Sequence, residues 1–120
     1  MVQTGHFKLA PTDLSDLSFE PASLPSELAA EPLGPPEVRR CRLHRTKGSS
    51  LDVWEYQPGE FDWQSDCDHS ACILSGEAEV DLADGRWLSL QKGVVFFLPR
   101  GLHGHWIVRE TLRTVTVRGS

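Results

Sequence analysis

The stretch Gly93-Val94-Val95-Phe96-Phe97-Leu98-Pro99-Arg100-Gly101 decides the fold. Five apolar residues lie between turn formers, too few for a helix able to bury a face, so the run reads as a short strand. Gly93 and Gly101 punctuate it, and Pro99 ends its hydrogen-bonding ladder. A second stretch, Asp68-His69-Ser70-Ala71-Cys72-Ile73-Leu74-Ser75-Gly76, closes on glycine in the same way. Side chains two apart on a strand share a face, so His69, Ala71 and Ile73 are expected to point together into the interior.

Working outward, a period of two holds from residue 38 to the end. Glu77–Ala83 alternates, with Ala78, Val80 and Leu82 inward and Glu77, Glu79 and Asp81 outward. Ala83-Asp84-Gly85 is a hairpin turn, and Arg86–Leu90 returns from it. Upstream, Val38–Thr46 is a basic alternating strand, Lys47-Gly48-Ser49-Ser50 a turn, and Leu51–Gln57 a strand with Asp52, Trp54 and Tyr56 on one face. Pro58-Gly59 is a turn signal, and Phe61 and Trp63 share a face of the next strand. Val94–Leu98, His105–Arg109 and Leu112–Arg118 complete the set. Eight or nine short strands with turns between them predict an all-β barrel or sandwich, and a jelly roll is one solution to that pattern.

Residues 1–37 differ. They hold six of the eight prolines, a density that forbids a long helix or a central strand. Single helical turns are expected at Asp13–Leu17 and Ser26–Ala30, in a segment otherwise read as an extended arm. Leu14, Leu17, Phe19, Leu24, Leu28 and Leu33 supply apolar anchors for packing on the barrel or on a second subunit. The expected organisation is an N-terminal arm, 1–37, and one barrel, 38–118.

The 120 residues suit one domain with a real core. Twelve basic against seventeen acidic residues give a net charge of −5, which argues against nucleic acid and anionic membrane surfaces as partners. No apolar run reaches the roughly 18 residues of a membrane span. No basic segment followed by an apolar run opens the chain, and three cysteines without a Cys-x-x-Cys pair suit a reducing cytoplasm.

The spacing Gly93-x5-Pro99-x-Gly101 resembles the second sequence motif of the cupin superfamily, and 68–76 resembles the end of the first. Val53-Trp54-Glu55, Pro58-Gly59-Glu60-Phe61, Ile73-Leu74-Ser75-Gly76, Asp84-Gly85 and Trp106-Ile107-Val108 add to the likeness, as does Glu110-Thr111-Leu112-Arg113. The chain is similar to the branch that includes ureidoglycine aminohydrolase-like and ethanolamine-utilisation-like cupins. The resemblance implies a double-stranded β-helix, the jelly-roll cupin barrel, usually paired into a homodimer. In metal-dependent members, two His and a Glu of the first motif and one His of the second converge inside the barrel. Here the Glu position, seven residues before Gly76, is His69, and the second-motif His position is Gly104. The His-x-His of the first motif is absent; Asp62, Gln64, Asp66 and Cys67 stand in that loop.

The candidate site residues follow. His69 is a candidate metal ligand, general base or hydrogen-bonded interior histidine. His103 and His105, two apart on a strand, can chelate a metal, or face outward if Gly104 takes the inward position. Trp54, Phe61, Trp63 and Trp106, with Tyr56 and Phe97 near them, pack a core or line an apolar ligand pocket. Cys67 and Cys72 lack the cationic neighbours that activate a thiol. The expected function is binding of a small molecule, with no cofactor or a weakly held divalent metal. Two alternatives stay open: a metal-dependent enzyme acting on a small nitrogenous or carboxylated metabolite, and a structural or regulatory dimer whose barrel is filled by its own side chains.

Overall fold

The computed structural model describes residues 17–22, 27–30, 37–82 and 84–119. Among them are nine strands: β1 (Glu20–Ala22), β2 (Glu27–Ala30), β3 (Val38–Arg45), β4 (Ser49–Tyr56), β5 (Gly59–Gln64), β6 (His69–Leu82), β7 (Arg86–Gln91), β8 (Val95–Leu98) and β9 (His103–Gly119). Every pairing is antiparallel. The architecture is all-β, as the alternation predicts, and is that of a jelly roll.

Two long strands make the barrel. The first half of β6 pairs β8 on one side and the end of β9 on the other; β4, β3 and β1 follow beyond β9. The second half of β6 pairs β7 and the start of β9, and β5 and β2 follow. So β6 and β9 each belong to both sheets. The β6–β9 ladder shifts register between Ile73 and Ala78, where the strands turn from one sheet to the other. Gly76 sits at that turn with φ 94°, in the left-handed region that a side chain disfavours. The sequence reading breaks β9 into two strands at Glu110-Thr111; the structure keeps one strand of 17 residues, because β6 bends beside it and preserves the pairing.

The core lies between the two sheets. Ile73, Leu90, Leu112 and Val80 are fully enclosed, with Ala78, Leu82, Leu98 and Val108 beside them. Burying each large aliphatic side chain stabilises the fold by about 1.5–3 kcal/mol. A continuous apolar run suggests burial on both faces, yet in β8 Phe96 and Leu98 turn inward while Val95 and Phe97 are exposed.

The two N-terminal strands join different sheets. β1 pairs β3 through Glu20↔Arg40 and Ala22↔Val38, and β2 pairs β5 through Glu27↔Trp63 and Ala30↔Phe61. The helical turn expected at Ser26–Ala30 is therefore corrected: Glu27–Ala30 is extended. The free edge of β5 offers a ready ladder, whereas an isolated turn closes few hydrogen bonds for the entropy it costs. The turn expected at Asp13–Leu17 lies outside the described residues save for Leu17, which is in no regular element. The anchors Leu14, Leu24 and Leu33 also lie outside. Phe19 packs against the guanidinium groups of Arg39 and Arg113, 4.9 and 4.7 Å from its ring centre.

Candidate ligand-binding cavity

Alternation along four strands builds one cavity at the mouth of the barrel. β4 contributes Trp54 and Tyr56, β5 contributes Phe61 and Trp63, β6 contributes His69 and Ala71, and β9 contributes Trp106, Thr114, Thr116 and Arg118; Phe96 and Leu98 of β8 close the wall. The void is about 450 Å³ counted to its open mouth, but the space open to the centre of a water-sized sphere is only about 30 Å³. The rings account for that narrowness. Trp106 stacks on Phe61 at 5.7 Å between centres and 14° between planes, and meets Trp63 edge-on at 5.7 Å and 77°. Tyr56 stacks on Phe61 at 6.2 Å and on Trp54 at 6.1 Å. Offset and edge-on contacts of this kind stabilise aromatic clusters by about 0.5–1.5 kcal/mol per pair beyond burial.

His69 opens β6 and is 6% exposed. Its Nδ1 lies 3.2 Å from the Cys67 carbonyl oxygen and 3.2 Å from Ser65 Oγ, and the Ser65 hydroxyl donates to the same carbonyl at 2.7 Å. A carbonyl only accepts, so Nδ1 carries the proton. Nε2 is then a bare lone pair with no hydrogen-bond partner among the described residues. Burial, the largest influence, pushes the His69 pKa down; the Cys67 carbonyl opposes this and the Arg118 charge reinforces it. The ring is therefore neutral at pH 7, and its Nε2 can accept a hydrogen bond or take up a proton. Trp63 meets the ring edge-on at 4.9 Å.

The other polar groups of the cavity are few. The Thr114 and Thr116 hydroxyls hydrogen-bond each other at 3.1 Å. Burial drives the Tyr56 phenol pKa well up, so its hydroxyl stays protonated. Arg118 donates to both carboxylate oxygens of Asp66, at 2.8 and 3.0 Å. Burial would raise the Asp66 carboxyl, but the Arg118 charge and hydrogen bond outweigh it, and the net direction is down.

Of the residues singled out from sequence, Trp54, Phe61, Trp63, His69 and Trp106 all line this cavity. His103 and His105 do not join them. Gly104 takes the inward position, sharing the parity of buried Trp106 and Val108, and its place against Val80 leaves no room for a side chain: a Cβ there would stand 2.7 Å from Val80 Cγ1. The two histidines consequently face outward. His105 is held by Asp62 at Nδ1, 2.9 Å, and by Glu60 at Nε2, 3.1 Å, so both its nitrogens are engaged on opposite sides. His69 therefore does not share its cavity with His103 and His105, and of the two arrangements read from sequence the pair takes the outward one. Among the described residues no three His, Cys, Asp or Glu side chains converge to hold a metal. A stably held first-row metal needs three or four such donors, and beside His69 the cavity is lined by aromatic rings, two threonines and an arginine, with aliphatic side chains. The cavity does not fit a tightly held metal.

Asp62 and Gln64 lie on β5, Asp62 bound to His105, and Cys67 is buried with its thiol pKa pushed up by burial. The sequence reading missed Thr114, Thr116 and Arg118 as lining residues. Their signal was present, since positions 114, 116 and 118 share the parity of Leu112 on β9.

Comparison with known proteins fits this geometry. Residues 43–115 match the EutQ-like cupin domain. The EutQ protein of Clostridium difficile superposes with a TM-score of 0.62 at 22% identity, over 70% of this chain and 63% of that one. The chain thus spans a little under two thirds of that relative's length. A duf861 family protein from Thermotoga maritima matches with a TM-score of 0.52 at 36% identity, over 53% of this chain and 73% of that one. The polyketide cyclase RemF from Streptomyces resistomycificus reaches a TM-score of 0.69 at 19% identity, over 93% of this chain and 80% of its own. No curated protein sequence matches the chain.

Proposed function

The chain belongs to the EutQ-like cupin domain family, and from that premise we propose that it binds a small, largely apolar organic molecule inside its barrel, with His69 Nε2 as the hydrogen-bond acceptor. The observation that carries the reading is His69 itself. A neutral imidazole, its tautomer set by Cys67 and Ser65, lines an aromatic cavity with a free lone pair. As the rings stand the cavity admits only a few heavy atoms, so the reading requires that they part to admit a ring-sized ligand. No cofactor, or at most a weakly held divalent metal, accompanies this reading, because among the described residues His69 is the one imidazole that lines the cavity.

The test is a titration with small ring compounds followed through the indole N–H resonances. Trp54, Trp63 and Trp106 line the cavity, whereas Trp87 is 57% exposed on an outer face and serves as the internal reference. At least one compound is expected to move the cavity indoles and leave Trp87 unmoved. If none does across such a set, the second reading holds. That reading is a barrel filled by its own side chains, and the inward Trp63 and Trp106 and the narrow void favour it.

We also read the protein as a homodimer in a reducing, cytoplasmic setting, with an arm, 1–37, and a barrel, 38–118. Support for pairing comes from the outer face of the first sheet. There Val95 (71% exposed), Phe97 (59%) and Val117 (49%) stand together, for Phe97 and Val117 flank Ser70 in register. Val95, Cys72, Val115, Val53 and Cys41 form the neighbouring row. Three unpaired cysteines support the reducing setting.

A further inference from the structure

We propose that the ligand of the barrel is an organic anion, whose carboxylate or phosphate sits in a basic groove at the barrel mouth while its apolar part enters the aromatic cavity. This rests on the small-molecule reading above and extends it to the charge of the ligand.

The groove runs along the β3–β4 turn and the end of β9. Arg42, Arg45, Lys47 and Arg118 line it together with the hydroxyl residues Thr46, Ser49 and Ser50, and among the described residues no carboxylate lines it. Its open volume is about 490 Å³. Arg118 lines both this groove and the cavity, so the two share a wall. Strand register explains why. His69 pairs with Arg118, Arg118 with Ser50, and Ser50 with Arg45, which sets the free imidazole and two of the guanidinium groups in one row across four strands.

The charges are not all neutralised within the protein. Arg42 is matched by Asp52, with Nε donating at 2.8 Å to a carboxylate that is fully buried, and Arg118 is matched by Asp66. Arg45 and Lys47 make no ion pair among the described residues. Two cations with no ion-pair partner among the described residues therefore flank a groove in a chain whose net charge is −5. Each paired guanidinium also keeps donors its carboxylate does not use, since Arg carries five N–H groups and Asp66 engages only one nitrogen of Arg118. Oxyanions are the ligands that such forked donors and a net positive field select. The site is accessible, and Asp52 and Asp66 hold its two inner arginines in place before any ligand arrives.

The experiment compares benzoate, benzamide and inorganic phosphate by amide and indole NMR titration of the wild-type chain and of an Arg45→Ala/Lys47→Ala variant, whose changes fall on the exposed turn. Benzoate is expected to move the cavity indoles and the amides of Thr46–Ser50 together. It should bind at least tenfold more tightly than benzamide, and phosphate should compete for the groove. In the variant that preference should fall at least fivefold while benzamide binding stays unchanged. Equal binding of benzoate and benzamide would overturn the anion proposal and leave the small-molecule reading standing. If phosphate moves the groove while neither ring compound moves the cavity indoles, the small-molecule reading fails and so does the link between groove and cavity. If no probe binds, both are overturned.

Discussion

Gly76 of β6 lies against Thr111 of β9 so closely that a Cβ on Gly76 would stand 2.1 Å from the Thr111 carbonyl oxygen. The same atom would lie 2.7 Å from Leu112 Cα. Both neighbours are backbone, which cannot rotate aside. This contact sits where β6 and β9 pass from one sheet to the other, so the two faces that enclose the cavity depend on it.

Gly76→Ala is therefore expected to cost more than about 3 kcal/mol or to prevent folding, since it combines backbone overlap with a strained φ. Gly85→Ala is the control. Its φ of 92° is similar, but nothing lies within 4 Å of the added Cβ, so the cost should be only about 1–2 kcal/mol. Urea unfolding of the two variants measures the difference; equal losses would show that the close approach at Gly76 is unimportant.

His69 predicts a pH dependence. Its folded pKa lies below the ordinary 6.5, so around pH 6 and below the unfolded chain binds the proton more readily than the folded one. The stability associated with the neutral ring is fully present above about 6.5 and is lost as pH falls through the lower folded value. His69→Gln should flatten that part of the stability profile and leave the profile above pH 7 parallel to wild type. Identical slopes between pH 6.5 and 5 in both proteins would refute a buried neutral ring.

Glu55 predicts a second, more acidic window. Its carboxylate is buried on the outer side of β4, bridging Arg39 and Arg113, with Arg39 Nε at 2.8 Å and an Arg113 nitrogen at 2.6 Å. Burial raises its pKa, the two arginines lower it, and the arginines prevail, so it lies below the ordinary 4.5. Its contribution is present above 4.5 and disappears as pH falls through the folded value. Glu55→Gln should lose about 1.5–3 kcal/mol at pH 7, the range for hydrogen bonds to charged groups. It should also lose less stability than wild type on acidification below 4.5. Thermal unfolding at pH 7 and pH 3.5 checks both parts.

Phe97→Asp tests the outer face. A charge placed at that 59% exposed position is tolerated by a single barrel but not inside an apolar interface. Sedimentation should give a dimer for wild type and a monomer for the variant, with unchanged β-sheet circular dichroism. A wild-type monomer at high micromolar concentration would dispose of the dimer.

A period of two is a local property, and it carried far. It assigned His69, Ala71 and Ile73 to one face and Glu77, Glu79 and Asp81 to the other, and the glycines at 76, 85, 93 and 101, all with positive φ, marked the turns. It did not reveal that β8 leaves Val95 and Phe97 uncovered, because alternation says nothing about what lies beyond a face. Nor could it orient His103 and His105, whose outward direction goes with the close approach of Gly104 to Val80.

The sequence by itself determined most of the strands from residue 38 onward, the faces of the cleanly alternating ones and the cupin resemblance, since each rests on side-chain period and on turn chemistry within a few residues. Only the tertiary structure decided which faces meet. The row His69, Arg118, Ser50 and Arg45 joins residues from four strands, and its order is set by long-range pairing that no local pattern encodes. The bare Nε2 of His69 likewise depends on one carbonyl, that of Cys67, whose direction is fixed only once the loop before β6 has closed against the barrel.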